Sequence, residues 1–186
     1  MTGRSEGRLD PALIRRAQDG DVEAFTALVA GRIDPMTRTA MAILGHEADA
    51  RDAVADALGA VWRGLPQLRD PLAFDAWSTR ILVHACRRSL RRRGRERVHE
   101  VVIGAESPEV GSEVAGPADL VSGRIALERA FDRLDADARA ILVLHHLDGR
   151  PLSEIAAVLG VPVGTAKSRL HTARRALERA LEREDR

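Results

Sequence analysis

Apolar residues recur along most of this chain three and four positions apart, the period that puts them on one face of a helix. Leu13, Ile14 and Ala17 do so after Asp10-Pro11, a capping residue followed by proline at the first helical position. Asp19-Gly20 ends that helix, and Asp21 can cap a second with Phe25, Leu28 and Val29 inside. Gly31 and Pro35 punctuate, and a short helix is expected through Met36–Leu44, ending at Gly45. The stretch Glu47–Trp62 predicts a longer helix with Ala50, Val54, Ala57, Leu58, Val61 and Trp62 as its stripe. Gly64 and Pro66 close it. Asp70-Pro71 repeats the cap-and-proline signal and opens another helix, with Leu72, Phe74, Trp77, Ile81, Leu82 and Ala85 turned inward.

The character then changes. Arg87 to Arg97 holds seven arginines and one acid, Glu96. Val98 to Asp119 holds Gly, Pro, Ser and five acids (Glu100, Glu106, Glu109, Glu113 and Asp119) with no Lys or Arg. Low periodicity and high polarity mark a linker. Two domains, 8–97 and 119–186, are therefore expected on either side of an acidic flexible linker, 98–118. Helical spacing resumes with Ile125, Leu127, Ala130, Phe131 and Leu134. Asp135 can cap a helix carrying Ala138, Ile141, Leu142, Leu144 and Leu147, and Asp148-Gly149 is a turn. Ser153 can cap a short helix ending at Gly160, and a last helix runs from about Pro162 to about Glu182. The expected fold class is all-α: two small helical domains, the C-terminal one with a helix-turn-helix.

Composition sharpens this picture in three places. Hydrophobic residues make up 45% of the 186, enough for a core, but aromatics are only 3% and there is no Tyr. The core must be built of Leu, Ile, Val and Ala. The single cysteine, Cys86, excludes an intramolecular disulfide and fits a reducing cytosol. The start, MTGRSEGRLD, has no apolar run, and no window approaches the ~18 apolar residues of a membrane span. A cytoplasmic protein without direct membrane insertion is expected. The net charge of +1 does not point to nucleic acid, but the charge is unevenly placed.

The segment GVPVGTAKSRLHTARRAL, 160–177, is where the placing matters. A short helix, a turn containing Gly160 and a longer helix form a helix-turn-helix pattern. Ile155, Ala156 and Leu159 can pack on Val163, Ala166 and Leu170. The other face carries Thr165, Ser168, Arg169, Thr172 and Arg175, flanked by Lys167, His171 and Arg174. Arg and Lys neutralise phosphates, Arg can grip a guanine edge with two bonds, and Ser or Thr can contact either. A solvated basic face would show the same charge. The short preceding helix, the glycine turn and the lack of acids from 161 to 177 favour DNA. His84, His145 and His146 have no Cys or His partners at ligand spacing, so no metal is expected. No GxGxxG, Walker loop or nucleophile–base set occurs. Neither catalysis, nor a cofactor, nor a small-molecule substrate is expected.

The stretch LSEIAAVLGVPVGTAKSRLHTARRALERAL resembles the DNA-reading region of bacterial RNA polymerase sigma factors, in particular the two-domain extracytoplasmic-function group of the sigma-70 family. The likeness runs nearly throughout Leu127 to Leu181, and GTAKSRL is its most specific part. It implies that Thr165, Lys167, Ser168, Arg169, Thr172 and Arg175 face the upstream promoter element. The first half agrees: LIRRAQDGDVEAFTALV is similar to the family's first helices. DARDAVADALGAVWRGL stands where the family grips core RNA polymerase, which implies that role for Asp49, Asp52, Val54, Asp56 and Trp62. Arg51, Ala53, Ala55 and Ala57 depart from the family pattern there. FDAWSTRILVHACRRSLRRRGR resembles the region that melts DNA and holds the downstream element, implying contacts from Trp77, Arg80, His84, Arg87, Arg88 and Arg91. Ser78, His84 and Arg88 depart from its usual apolar, Asn and acidic residues. Trp77 also fits a core position.

The resemblance implies a sigma factor that binds core RNA polymerase and promoter DNA, directs initiation through the −10 and −35 elements, and is held shut by an anti-sigma factor. The acids of the linker would suit a basic path through polymerase, or would simply keep a spacer soluble. Two alternatives stand beside this. One is a stand-alone regulator binding operator DNA as a dimer, since LuxR-type regulators end in a similar helix pair. The other is a degenerate relative that binds polymerase or an inhibitor without starting transcription.

Overall fold

The computed structural model describes residues 10–103 and 118–184, with side chains described at 10–95 and 123–184. Most of the acidic stretch read as a linker, including Glu106, Glu109 and Glu113, lies outside the described residues. The described residues form helices without strands: α1 Pro11–Gln18, α2 Val22–Ala30, α3 Ile33–Leu44, α4 Glu47–Gly64, α5 Phe74–Ile103, α6 Ala118–Asp132, α7 Ala136–Leu142, α8 Leu152–Leu159 and α9 Val163–Glu184.

Local chemistry explains most of the boundaries. Asp10, Asp21 and Asp135 each accept a hydrogen bond from a backbone N–H in the first turn of the helix they precede. Asp70 does the same for the short turn Pro71–Ala73, which leads into α5. Helix α3 starts at Ile33, before Pro35, because the first turn of a helix has no use for that missing N–H. Helix α8 starts at Leu152 after Pro151, so Ser153 lies inside it and does not cap it. Helix α5 stays helical to Ile103, past the Arg97 at which the sequence places the end of the first domain. Helix α7 continues as a π-helical turn, Val143–Leu147, whose end is closed by the Asp148 N–H bonding the Val143 carbonyl at 3.0 Å.

Two apolar clusters hold the molecule. The smaller joins Ile14, Ala17, Ala24, Leu28, Val61, Leu65 and Phe74. The larger runs without a break from α3, α4 and α5 into α7, α8 and α9, from Ile43, Val54, Leu82 and Cys86 to Ile141, Leu144, Ile155 and Leu170. The two halves of the chain thus share one core. Its buried alanines (Ala40, Ala50, Ala53, Ala57 and Ala85) let the helices of the first half approach closely, which suits a chain with few aromatics.

Five apolar positions expected inside lie outside. Leu72, Leu147, Val163, Leu127 and Ile125 are all exposed. Leu72 stands on the turn before α5, Leu147 at the end of the π-helical turn and Val163 at the first position of α9; at an element's end, periodicity no longer fixes which way a side chain points. Val158, fully buried, packs in the core where Val163 does not.

Truncating Ile155, which is 0% exposed, leaves a cavity at the centre of the larger cluster. Ile155→Ala should lower stability by about 2–5 kcal/mol, read as a drop in the urea midpoint. Burial pushes the Cys86 thiol up to about 12, so few molecules carry the reactive thiolate near neutral pH. In the folded chain Cys86 should resist alkylation at pH 8 and react promptly in denaturant; rapid reaction in the native state would contradict this placement.

Candidate nucleic-acid interface

Helix α9 is built as the sequence predicts at its centre. Ala166, Leu170 and Ala173 are buried, and Leu177 is half-buried. This fixes the roll of the helix and turns Lys167, Ser168, Arg169, His171, Thr172, Arg174 and Arg175 to solvent. Thr165 is half-buried, and its carbonyl accepts the Ser168 hydroxyl at 3.0 Å. Ile155, Ala156 and Val158 seat α8 against it. The turn between them depends on Gly160, which has φ +67, a value that side chains other than glycine rarely tolerate. A side chain there would also strike the guanidinium of Arg80, whose Nη2 lies 2.2 Å from where a Cβ would stand.

The basic face of α9 is not isolated from its surroundings. The Arg174 Nε–H donates to His146 Nε2 at 3.2 Å, which requires that nitrogen to be unprotonated. Burial, followed by the charges of His145 and Arg174, holds His146 below the usual histidine range. Arg169 Nη1 lies 3.8 Å from Asp137 Oδ2, on the first turn of α7.

Helix α5 carries the second basic face. Arg80, His84, Arg88 and Arg91 are exposed and lie at helical spacing on one side. Burial lowers the His84 pKa, and the nearby charges of Arg87, Arg80, Arg88 and Arg91 lower it further. A neutral ring among four guanidiniums can still donate and accept at base edges. Arg87 is mostly buried, with its Nε 2.7 Å from Asp137 Oδ1. The contact is ionic rather than an aligned hydrogen bond, for Nε and Nη2 meet no protein acceptor in good geometry. Trp77 is half-buried: it packs on Phe74 with ring centroids 6.0 Å apart and covers Gly64.

Helix α4 places the residues read as polymerase contacts in three different settings. Asp52 is exposed. Asp49 pairs with Arg93 at 3.1 Å, and Asp56 with Arg88 at 3.7 Å. Trp62 is half-buried in an edge contact with Phe25, centroids 4.8 Å apart. Val54 departs from the expectation: at 5% exposed it belongs to the core and offers no surface in this structure. Ala53 and Ala57, which depart from the family pattern, are buried beside it, where a larger side chain would force α4 outward. Ser78, another departure, is buried with its hydroxyl donating to the Asp75 carbonyl at 3.2 Å, which answers its polar group locally.

Polar contacts between the two halves were not legible in the sequence. The buried Arg139 donates to the Leu134 carbonyl and, at 3.4 Å, to the Ile43 carbonyl of α3, and pairs with Asp132. Thr39 Oγ1 lies 3.0 Å from Asp148 Oδ2. Arg150 Nη2 donates to Thr79 Oγ1 at 3.0 Å. No periodicity or motif marks these residues, because their partners stand about 70 to 110 positions away in the chain. Among the described residues no group of three or more His, Cys, Asp or Glu could hold a metal ion, and no helix is long and apolar enough to cross a membrane.

Comparison with known proteins meets this geometry from the other side. Residues 28–96 match the family described as Sigma-70 region 2, and residues 124–177 the family described as Sigma-70, region 4. The chain is 33% identical over 182 residues to the ECF RNA polymerase sigma-E factor of Escherichia coli K12, covering 94% of this chain and 95% of that protein. It is 34% identical over 179 residues to the ECF RNA polymerase sigma factor SigM of Mycobacterium tuberculosis, covering 96% and 87%. Among solved structures it is similar to CnrH in complex with the cytosolic domain of CnrY, with TM-score 0.65 and 28% identity over 94% of this chain and 97% of that one. It is also similar to the sigma factor RpoE in complex with the anti-sigma factor NepR from Bartonella quintana, with TM-score 0.64 and 26% identity over 87% and 98%. Two helical halves, each matching its own sigma region, and full-length likeness to these factors make the chain a member of the extracytoplasmic-function group of the sigma-70 family, a sigma factor that directs transcription initiation.

Proposed function

We propose that this sigma factor reads two promoter elements with the two basic faces described above. The observation that carries the reading is the outer face of α9, where Lys167, Ser168, Arg169, His171, Thr172, Arg174 and Arg175 are all exposed while the opposite side is locked into the core. Docked in a major groove, α9 would contact the upstream (−35) element with those residues and Thr165. Helix α5 would hold the downstream (−10) element and its opened strand through Arg80, His84, Arg87, Arg88 and Arg91, with Trp77 supporting that face. Asp49, Asp52, Asp56 and Trp62 on α4 would meet core RNA polymerase, with Val54 shaping the helix from inside.

The domains proposed for these roles are 8–97 and 119–186, with 98–118 as the tether. The tether makes each domain a high local concentration for the other, so neither needs tight affinity alone. The output is specificity: the polymerase does the chemistry, the chain itself is not an enzyme, and it works in the cytoplasm. An anti-sigma factor is proposed as a further partner, supported by the likeness to the sigma factor RpoE solved with the anti-sigma factor NepR. The stand-alone regulator is disfavoured by a first half that matches the polymerase-binding region of the family.

The reading also requires the two halves to separate. The two elements lie roughly 25 base pairs apart, or about 85 Å at 3.4 Å per pair. A compact chain of this length has a radius of gyration of ~16 Å, and its longest helix, α5 with 30 residues, runs about 45 Å. The closed chain therefore cannot touch both.

Core RNA polymerase mixed with the purified chain and a genomic promoter pool should give transcripts with defined start sites. Arg169→Ala or Arg175→Ala should weaken initiation by roughly ten- to a hundredfold, as expected for about 1–3 kcal/mol per lost Arg contact, while leaving polymerase binding intact. Transcription at the wild-type level from both variants would remove α9 as the upstream reader.

A further inference from the structure

We infer that Asp137 is an internal latch: its single carboxylate holds one arginine from each DNA-facing helix, so the chain closes on itself and is unable to engage both promoter elements until that carboxylate is displaced. The inference rests on the proposed DNA roles of Arg87 and Arg169 for its consequence, but not for its geometry.

Asp137 opens the first turn of α7. Its Oδ1 faces Arg87 of α5 at 2.7 Å, and its Oδ2 faces Arg169 of α9 at 3.8 Å. The groups are placed very differently. Arg87 is only 12% exposed, whereas Asp137 is 52% and Arg169 44% exposed. A guanidinium taken that far out of water needs an anion, and Asp137 is the one it has. It is held imperfectly, since Arg87 Nη2 and Nε find no well-aligned protein acceptor. A phosphate, with more oxygens and a fork-matching geometry, would satisfy Arg87 better than this carboxylate does. The same exchange frees Arg169, so opening supplies a cation to each face at once.

The latch does not act alone. Around it the two halves meet through Arg150 and Thr79, through Thr39 and Asp148, through Arg139 and the Ile43 carbonyl, and through Arg80 laid over Gly160. The shared apolar core supplies the cohesion, and these contacts fix the register. Arg80 is also a proposed DNA contact, but Asp137 pairs with one such arginine on each of the two helices, Arg87 on α5 and Arg169 on α9. The Arg169 pair is half-exposed and contributes little to stability by itself, while Arg87, left without its anion when Asp137 is lost, regains water only if the halves part, so the loss should tilt the closed–open balance toward the open state.

The test uses the full chain with no partner, carrying spin labels at Ala27→Cys and Glu178→Cys, two exposed positions in different halves; Cys86 is buried and would not take label. Interlabel distances are measured for the wild type, Asp137→Asn, Asp137→Arg and Asp137→Glu, with circular dichroism confirming helix content. The expected result is one short-distance population in the wild type and in Asp137→Glu, a mixture in Asp137→Asn, and mostly long distances in Asp137→Arg, which sets three cations together. Affinity of the free chain for a promoter duplex at fixed salt should rise about three- to tenfold in Asp137→Asn. A wild type already spread over long distances would overturn self-closure. Distances unchanged in Asp137→Arg would overturn the latch, whatever the DNA result. Distances that lengthen without a gain in affinity would uphold the latch and overturn the assignment of Arg87 and Arg169 to DNA.

Discussion

The structure depends on the burial of one apolar surface shared by two small halves. Each half is short of aromatics and rich in alanine, so neither has much apolar area to hide by itself. Laying α7 and α8 on α3 and α5 hides Ile43, Leu82, Ile141, Leu144 and Ile155 together. That burial sets the position of everything else. It fixes the roll of α5, and with it which arginines are wet. It also seats α9 through Ala166, Leu170 and Ala173, leaving the opposite side exposed. In the proposed reading, the same surface that stabilises the closed chain is the one that parts for promoter binding.

This gives the charged residues a double use. Arginines that suit phosphates also suit carboxylates, and the closed chain supplies carboxylates at short range: Asp49 for Arg93, Asp56 for Arg88, Asp137 for Arg87 and Arg169. Two of these pairs, Arg88 with Asp56 and Arg169 with Asp137, are half-exposed or more and worth little singly. In the proposed reading, they occupy in the free chain the cations that DNA would take. A near-neutral chain can thus carry two strongly basic helices, which accounts for a net charge of +1 that by itself conceals the function.

The helices and the exposed basic face of α9 were legible in the sequence because both follow from local rules. Capping aspartates at Asp10, Asp21 and Asp135, the glycine at Gly160 and the spacing of Ala166, Leu170 and Ala173 each act within a few residues. What was not legible is long-range. Nothing near Asp137 or Arg139 in the sequence says that the one meets two arginines and the other crosses to Ile43. Val54 misled in a different way: a family pattern marks the helix as a contact surface, while burial decides which of its residues can touch. Val163 and Leu147 failed because helical periodicity loses its meaning at element ends.

The central claim is that one interface serves the free chain and gives way on polymerase. Hydroxyl-radical footprinting of the side chains reads this directly, comparing the free chain with its complex with core polymerase on promoter DNA. The account predicts that Leu134, Ile141 and Ile43, which line the junction of the two halves, are protected in the free chain and become more reactive in the complex, while Ile14 and Leu28, in the first half's own cluster, stay protected throughout. Equal protection of the junction in both states would contradict it.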